Sequence, residues 1–349
     1  SNPTQTRKDE TEAMEMILAD METVLQDKEM IKTYDEGRER SSHKELEKHQ
    51  LRRSYAQCAL SRIIDTPLVQ PTTAVSLNCA AVSVHSRTGA HCLPHPSKVS
   101  SGGEDAFIIA STHQGTLTGV LDGVGGWINV GVDSGVYSRT LAHHIDLEFA
   151  EWTANGAESL RQQEGGKPLL GILERAFARM KALQIQGSCT VCLSLLLPNG
   201  SLHILNVGDS GLRVIRGDEV VFSTTEQQHS FNFPVQLGSL SDDAPSDGAY
   251  LITGVQPDDT LLLATDGVWD NLWEEEFVGV VTSSSGAFSA GLDGTARRLA
   301  EAAQRRGGDA GYVSPFAVHG QRAGLRTMGG KLDDSTAVVV RVCRAEKEE

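Results

Sequence analysis

The chain has 349 residues, 39% of them hydrophobic and 22% charged, which are the proportions of a globular protein with one substantial core. Its 31 Lys and Arg against 46 Asp and Glu leave a formal charge of -15, which argues against nucleic acid as a partner, since that binding needs clustered basic side chains to displace counterions. Six cysteines are too few for a disulfide framework and no apolar run approaches the roughly 18 residues of a membrane span, so an intracellular protein without a span is expected.

The opening Ser1-Asn2 reads as a cloning remnant. From Thr4 to about Glu36 there is no Gly or Pro. Met14, Ile17, Leu18, Met21, Val24 and Leu25 recur there at three-to-four spacing among charges, which predicts an amphipathic helix. A second charged helix is expected from His43 to Leu60. Together they form a helical extension over residues 1–66, whose apolar face either packs on the rest of the chain or meets a partner. Pro67 and Pro71 mark the boundary to a larger domain over 67–349.

Beyond the boundary, short β-rich runs dominate: Leu77–Val84, Ala106–Ala110, Leu117–Leu121, Cys189–Leu197, Leu202–Val207, Leu212–Ile215, Val220–Ser223, Thr260–Thr265 and Ser335–Val342. Turn signals at Pro198-Asn199-Gly200 and Arg216-Gly217-Asp218 predict antiparallel hairpins. Helices are expected as blocks between strand groups, over Val136–Trp152 and Leu169–Leu183, near Glu274–Val281 and over Thr295–Arg306. The Gly- and Ser-rich stretch Ser283–Gly294 reads as a surface loop. Antiparallel strands with helices packed outside them make an α+β domain.

Four acidic motifs stand at strand ends: Gly103-Glu104-Asp105-Ala106, Asp122-Gly123-Val124-Gly125-Gly126, Asp266-Gly267-Val268-Trp269-Asp270 and Asp333-Asp334-Ser335-Thr336. An ionised carboxylate buried without a partner costs several kcal/mol, so a rim that gathers these acids needs compensating positive charge. No Lys or Arg lies within the four motifs, and no His or Cys ligand set accompanies them. All-oxygen ligation then points to hard divalent ions, Mg²⁺ or Mn²⁺. An Asp-Gly at a strand end is by itself more often a turn than a ligand, so the joint occurrence carries the inference. Glycines after Asp122 and Asp266 allow close backbone approach, and the Gly123 carbonyl is a further candidate ligand. Two ions about 3.5–4 Å apart would activate a water and stabilise charge on a transferred phosphoryl group.

The order and spacing of these motifs, from about Cys79 to Val342, resemble the type-2C metal-dependent protein phosphatases. The nearer likeness is to the branch of the mitochondrial T-cell-activation-associated phosphatase and its plant relatives. It is carried by Leu93-Pro94-His95-Pro96, Gly102-Gly103-Glu104-Asp105, Asp122-Gly123-Val124-Gly125-Gly126-Trp127, Thr225-Glu226-Gln227-Gln228-His229 and Gly329-Gly330-Lys331-Leu332-Asp333-Asp334. The resemblance implies an α-β-β-α sandwich of two antiparallel sheets flanked by helices, with a phosphoprotein as substrate. It implies that Asp122 bridges two Mg²⁺ or Mn²⁺ ions, with Asp266 and Asp333 on one and Glu104 plus the Gly123 carbonyl on the other. Asp105 would support that shell, and Asp209 and Asp270 match positions that help hold a weaker third ion. The implied reaction is direct attack of a metal-bound water on phosphoserine or phosphothreonine by a monomeric enzyme. Relatives in this branch are often organellar, mitochondria included, but the acidic opening segment lacks the bias of a transit peptide, so cytoplasmic and organellar locations both stay open.

Two departures from the family pattern stand out. Many relatives carry His directly after the bridging Asp-Gly, where this chain has Val124, and Arg four residues before the Glu, where it has Ser100. Lys98 is the candidate phosphate-binding substitute, provided its loop bends. These losses keep open the alternative of a phosphatase-like scaffold without turnover. Ala90-His91-Cys92 and Gly208-Asp209-Ser210-Gly211 look like fragments of trypsin-type signatures, but a protease would leave the acidic motifs unexplained. Cys189 and Cys192 should point to opposite faces of a strand and serve packing. Trp127 and Trp269 should pack beneath the acidic loops. His143, His144 and His229 read as ordinary histidines, and Arg297, Arg298, Arg305 and Arg306 as a solvated helix face.

Overall fold

The computed structural model describes residues 83–154, 166–283 and 291–345. The expected helices before Leu60, the extension over 1–66 and most of the expected strand Leu77–Val84 lie outside these residues.

Among the described residues the chain forms ten strands of five residues or more: β1 Val84–Leu93, β2 Asp105–Thr112, β3 Gly115–Asp122, β4 Val191–Leu196, β5 Ser201–Val207, β6 Gly211–Arg216, β7 Glu219–Ser223, β8 Ala249–Gly254, β9 Thr260–Ala264 and β10 Ser335–Arg344. The helices are α1 Ser134–Ala154, α2 Pro168–Leu183, a single turn α3 Asp266–Trp269, α4 Glu274–Ser283, α5 Gly291–Gly307 and α6 Pro315–Arg322. The strands make two five-stranded sheets, ordered β1-β10-β9-β6-β7 and β8-β5-β4-β3-β2, with antiparallel pairing throughout. Both expected hairpin turns are present, joining β4 to β5 and β6 to β7.

Period-two burial stacks the layers. Along β9 and β10, Leu261, Leu263, Val338, Val340 and Val342 face the second sheet, where they meet Val120, Cys192, Leu202 and Ile204. Their neighbours Leu262, Ala264, Ala337 and Val339 face the other way, against Phe277, Leu299 and Ala303 of α4 and α5. On the outer face of the second sheet, Leu117, Leu193 and Leu205 pack against Leu141, Ile145, Ile172 and Phe177 of α1 and α2. The result is the expected α-β-β-α sandwich. Cys189 lies in the helix-facing core and Cys192 in the sheet-to-sheet core, but the expected strand Cys189–Leu197 breaks at Thr190, and Cys189 pairs with Leu237 in a separate two-stranded sheet.

Three further expectations are corrected. Among the described residues the first strand is Val84–Leu93, paired with β10 along its whole length, where the sequence reading expected no strand between Val84 and Ala106. Its face alternates weakly because most of it is only half buried, so hydrophobic periodicity gave no signal. Gly291–Gly294, read as loop, is already the first turn of α5, while 284–290 lie outside the described residues. Neither β8 nor α6 was anticipated.

Candidate active site

The acidic motifs come together at one end of the sandwich because the strands carrying them end there. Asp105 opens β2 and Asp122 closes β3, and the two are directly opposed across the ladder. Asp266 starts α3 immediately after β9, and Asp333 stands two residues before β10. One pair thus comes from each sheet. Two glycines permit the close approach: a Cβ at Gly123 would lie 2.6 Å from the Glu104 carbonyl oxygen, and one at Gly267 only 1.8 Å from that of Asp334. Gly123 donates its backbone N–H to the Glu104 carbonyl at 3.1 Å, which pins Glu104 to the end of β3.

Around this frame sits a network of fixed donors. Ser134 Oγ, in the first turn of α1, donates to Glu104 Oε1 at 2.8 Å, Ser138 Oγ donates to the Glu104 carbonyl at 2.6 Å, and Arg139 donates to the Gly103 carbonyl at 2.8 Å. Thr265 Oγ1 donates to Asp105 Oδ2 at 2.9 Å, in keeping with a supporting place for that acid. Asp334 Oδ1 accepts from His95 N at 2.6 Å and Oδ2 from Glu104 N at 3.0 Å, so one carboxylate ties the loop before β2 to the loop before β10. Asp209, buried after β5, accepts from Gln228 at 3.4 Å. His229 Nε2 lies 2.9 Å from Asp243 Oδ2, a pairing within the segment around the hairpin Gln228–Ser230 with Phe233–Pro234. Trp127 and Trp269 pack beneath the loops, their indole N–H groups donating to Ser188 Oγ at 2.6 Å and the Ala264 carbonyl at 2.8 Å.

Two lysines that lie outside the acidic motifs in sequence enter the cluster, Lys98 among them. The Lys98 ammonium reaches Glu104, lies 3.1 Å from Asp334 Oδ2 and 3.8 Å from Asp333 Oδ1. Its loop does bend, through a 3₁₀ turn at Pro96–Lys98 capped by the His95 ring. On the other side the Lys331 ammonium contacts Asp266, lies 2.9 Å from Asp270 Oδ2 and 3.5 Å from Asp333 Oδ2. Both lysines stand outside the short motifs in sequence. Lys331 and Asp334 were part of the resemblance string, but nothing in the string says where they point.

The named acids still far outnumber the two lysines, and the strain falls on the buried ones. Burial, then the neighbouring charges of Asp266 and Asp105, push the Asp122 carboxyl well above the usual carboxylate range. Burial and Asp334 do the same to Asp105, and burial and Asp266 to Asp209, while burial and Asp266 also raise Asp333. Asp270 is pushed up to about 7, chiefly by burial, with Lys331 pulling the other way. Asp266 is the exception: burial opposes its charge, but Lys331 and the adjoining Asp122 carboxyl hold it below the ordinary range.

The acids are disposed around the ammonium groups, and among the described residues no three His, Cys, Asp or Glu side chains converge on one point as ligands of an ion do. The donor set nevertheless fits hard divalent ions. It is all oxygen, Asp105 Oδ1 and Asp266 Oδ1 are buried and accept no hydrogen bond, and a cluster that forces protons onto buried acids is one that added positive charge would relieve.

Residues 97–304 match the family model of protein phosphatase 2C. Over 274 residues the chain is 44% identical to the probable protein phosphatase 2C 80 of Arabidopsis thaliana, a stretch covering 77% of this chain and 60% of that protein. It is 34% identical over 251 residues to the protein phosphatase PTC7 homolog fig of Drosophila virilis, covering 68% of this chain and 77% of that one. The X-ray structure of the photosystem II phosphatase PBCP superposes with a TM-score of 0.63 at 31% identity, over 74% of this chain and 98% of that one. The chain thus spans little more than half the length of some plant relatives, 60% in the first case.

Proposed function

We propose that this chain, which belongs to the protein phosphatase 2C family, is a metal-dependent serine/threonine protein phosphatase that releases phosphate from phosphoserine and phosphothreonine by direct attack of water. The carrying observation is that Asp122, Asp266, Asp333 and Glu104 stand at four separate strand ends on one partly buried rim, where Asp266 Oδ1 accepts no hydrogen bond.

Asp122, Asp266 and Asp333, with Glu104 and the Gly123 carbonyl, are the groups that would hold two Mg²⁺ or Mn²⁺ ions. Bound there, the pair would neutralise the rim, lower the pKa of a water and stabilise charge on the phosphoryl group. The chain's own side chains supply the rest. Asp105, held by Thr265, braces the Asp122 strand end, Asp334 holds the Glu104 backbone N–H, and Ser134 fixes the Glu104 carboxylate. Lys98, carried on an exposed loop and paired with Glu104 and Asp334, takes the phosphate-binding part, since Ser100 has no charge to offer. Val124 offers no proton, so the leaving hydroxyl takes its proton from solvent.

The test is phosphate release from a phosphothreonine peptide in Mn²⁺. Release that disappears with chelator and with Asp266→Ala is the expected result. A phosphatase-like scaffold would bind Mn²⁺ and release nothing.

A further inference from the structure

Lys331 is built into the site more firmly than its surface-seeking residue type requires. Its backbone N–H donates to Asn271 Oδ1 at 2.9 Å, and its carbonyl accepts from Asn271 Nδ2 at 2.7 Å. The same Asn271 amide donates to the Gly267 carbonyl at 2.9 Å, so Lys331 is fastened directly to the turn that carries Asp266 and Asp270. The Phe316 ring lies 5.5 Å from the ammonium, and Phe316 N donates to the Asp270 carbonyl at 3.1 Å. The side chain is 18% exposed. An ammonium has three N–H donors, and here they face the Asp266 Oδ2, Asp270 Oδ2 and Asp333 Oδ2 oxygens, with the Asp209 charge close enough to be felt.

A metal ion at the position marked by Asp209 and Asp270 would compete with Lys331 for Asp270 Oδ2. Asp266 divides its two oxygens accordingly: Oδ2 goes to the lysine, while Oδ1 accepts no hydrogen bond and remains free for the shared rim.

We infer that the Lys331 ammonium takes the place of a third divalent ion, so that this chain works with two exchangeable ions and one tethered cation. The inference rests on the two-ion phosphatase reading above and sharpens it. Asp270 then serves as the counter-charge of Lys331, and the position beside Asp209 and Asp270 is filled permanently.

The experiment counts ions. Metal-stripped wild type, Lys331→Met, Asp270→Asn and the Lys331→Met/Asp270→Asn pair are titrated with Mn²⁺, and free Mn²⁺ is read by electron paramagnetic resonance. Two ions are expected in wild type, a third in Lys331→Met, and two again in the double variant. Asp270→Asn alone should leave the count at two, a readout that stands even if Lys331→Met does not fold. A third ion in wild type that Asp270→Asn removes overturns the inference, as does a folded Lys331→Met with an unchanged count. If no form binds Mn²⁺, the two-ion reading itself fails, which the titration tells apart from a failure at Lys331 alone.

Discussion

The two ends of the carboxylate rim use the same device, a lysine among acids, and build it differently. At one end Lys98 reaches Glu104 and Asp334 from a loop whose next residues, Val99 to Gly102, are exposed. The acids there are held by other groups, Glu104 by Ser134 and Gly123, and Asp334 by two backbone N–H donors. At the other end Lys331 has its own backbone clamped by Asn271 and its ammonium against an aromatic ring. Asp266 Oδ1 has no hydrogen bond, and Asp270 accepts its side-chain bond from Lys331 itself. Removing Lys98 therefore leaves its partners in place, whereas removing Lys331 strands them. Lys98 stands on an exposed loop, and Lys331 is fastened into the frame.

That contrast can be broken by stability measurements in chelator. Lys331→Met should cost about 3–5 kcal/mol, the usual penalty for stripping a buried carboxylate of its partner, with Mn²⁺ restoring part of it. Lys98→Met should cost less, about 1–3 kcal/mol, because its buried partners Glu104 and Asp334 keep Ser134 and two backbone N–H groups as donors. Urea unfolding of the two variants side by side decides it, and equal losses would erase the distinction.

Activity should rank the lysines the other way around. Lys98→Ala is expected to lower kcat/KM for a phosphothreonine peptide roughly 10–100-fold, about 1.4–2.7 kcal/mol of transition-state stabilisation. Its Mn²⁺ count should not change. If kcat/KM is untouched, Lys98 is a structural ion pair like Lys331 and the phosphate-binding part lies elsewhere. Asp334 sharpens the same end further. Asp334→Ala orphans the N–H groups of His95 and Glu104 and should cost about 1–3 kcal/mol, while Asp334→Asn keeps one acceptor oxygen and should recover part of the loss in thermal unfolding.

Much of this frame was legible in the sequence because it follows from short-range rules. Leu261 to Ala264 and Ala337 to Val342 alternate in the period that splits them between two cores, and the acids sit directly after or before those runs. The lysines were not legible for the opposite reason. Lys98 and Lys331 are 233 positions apart, and only the antiparallel pairing of β1 with β10 brings the loops that follow and precede them to the same end. Edge strand β1 escaped notice because half-buried His, Ser, Arg and Thr carry no hydrophobic period. Asp334 was visible as a residue, but its work is done through backbone N–H groups that no side-chain pattern announces.

The smallest expected effect is the pH dependence of the metal-free protein, and its sign separates the rim from ordinary surface acids. Asp270 rises from its ordinary 3.8 to about 7 on folding, first because it is buried, and Asp105, Asp122, Asp209 and Asp333 are raised as well. For a carboxyl whose folded pKa is the higher one, the stabilising contribution is fully present below the unfolded pKa and is lost as pH rises through the folded value. For Asp270 that window runs from about 3.8 to about 7. Within it the folded chain holds a proton that the unfolded chain has released, so stability falls by at most about 1.4 kcal/mol per pH unit for each such group. Asp266, held below the ordinary range by Lys331, has the opposite sign, but its contribution is lost only as pH falls through its still lower folded value, outside that window. Chelated protein should therefore melt at higher temperature at pH 6 than at pH 8. Saturating Mn²⁺ should flatten that slope, since ions and protons compete for the same oxygens. In Lys331→Met the chelated slope should steepen, because Asp266 loses the charge that keeps it ionised and joins the acids that must take up a proton; an unchanged slope would mean that Lys331 does not hold Asp266 in the way its position indicates.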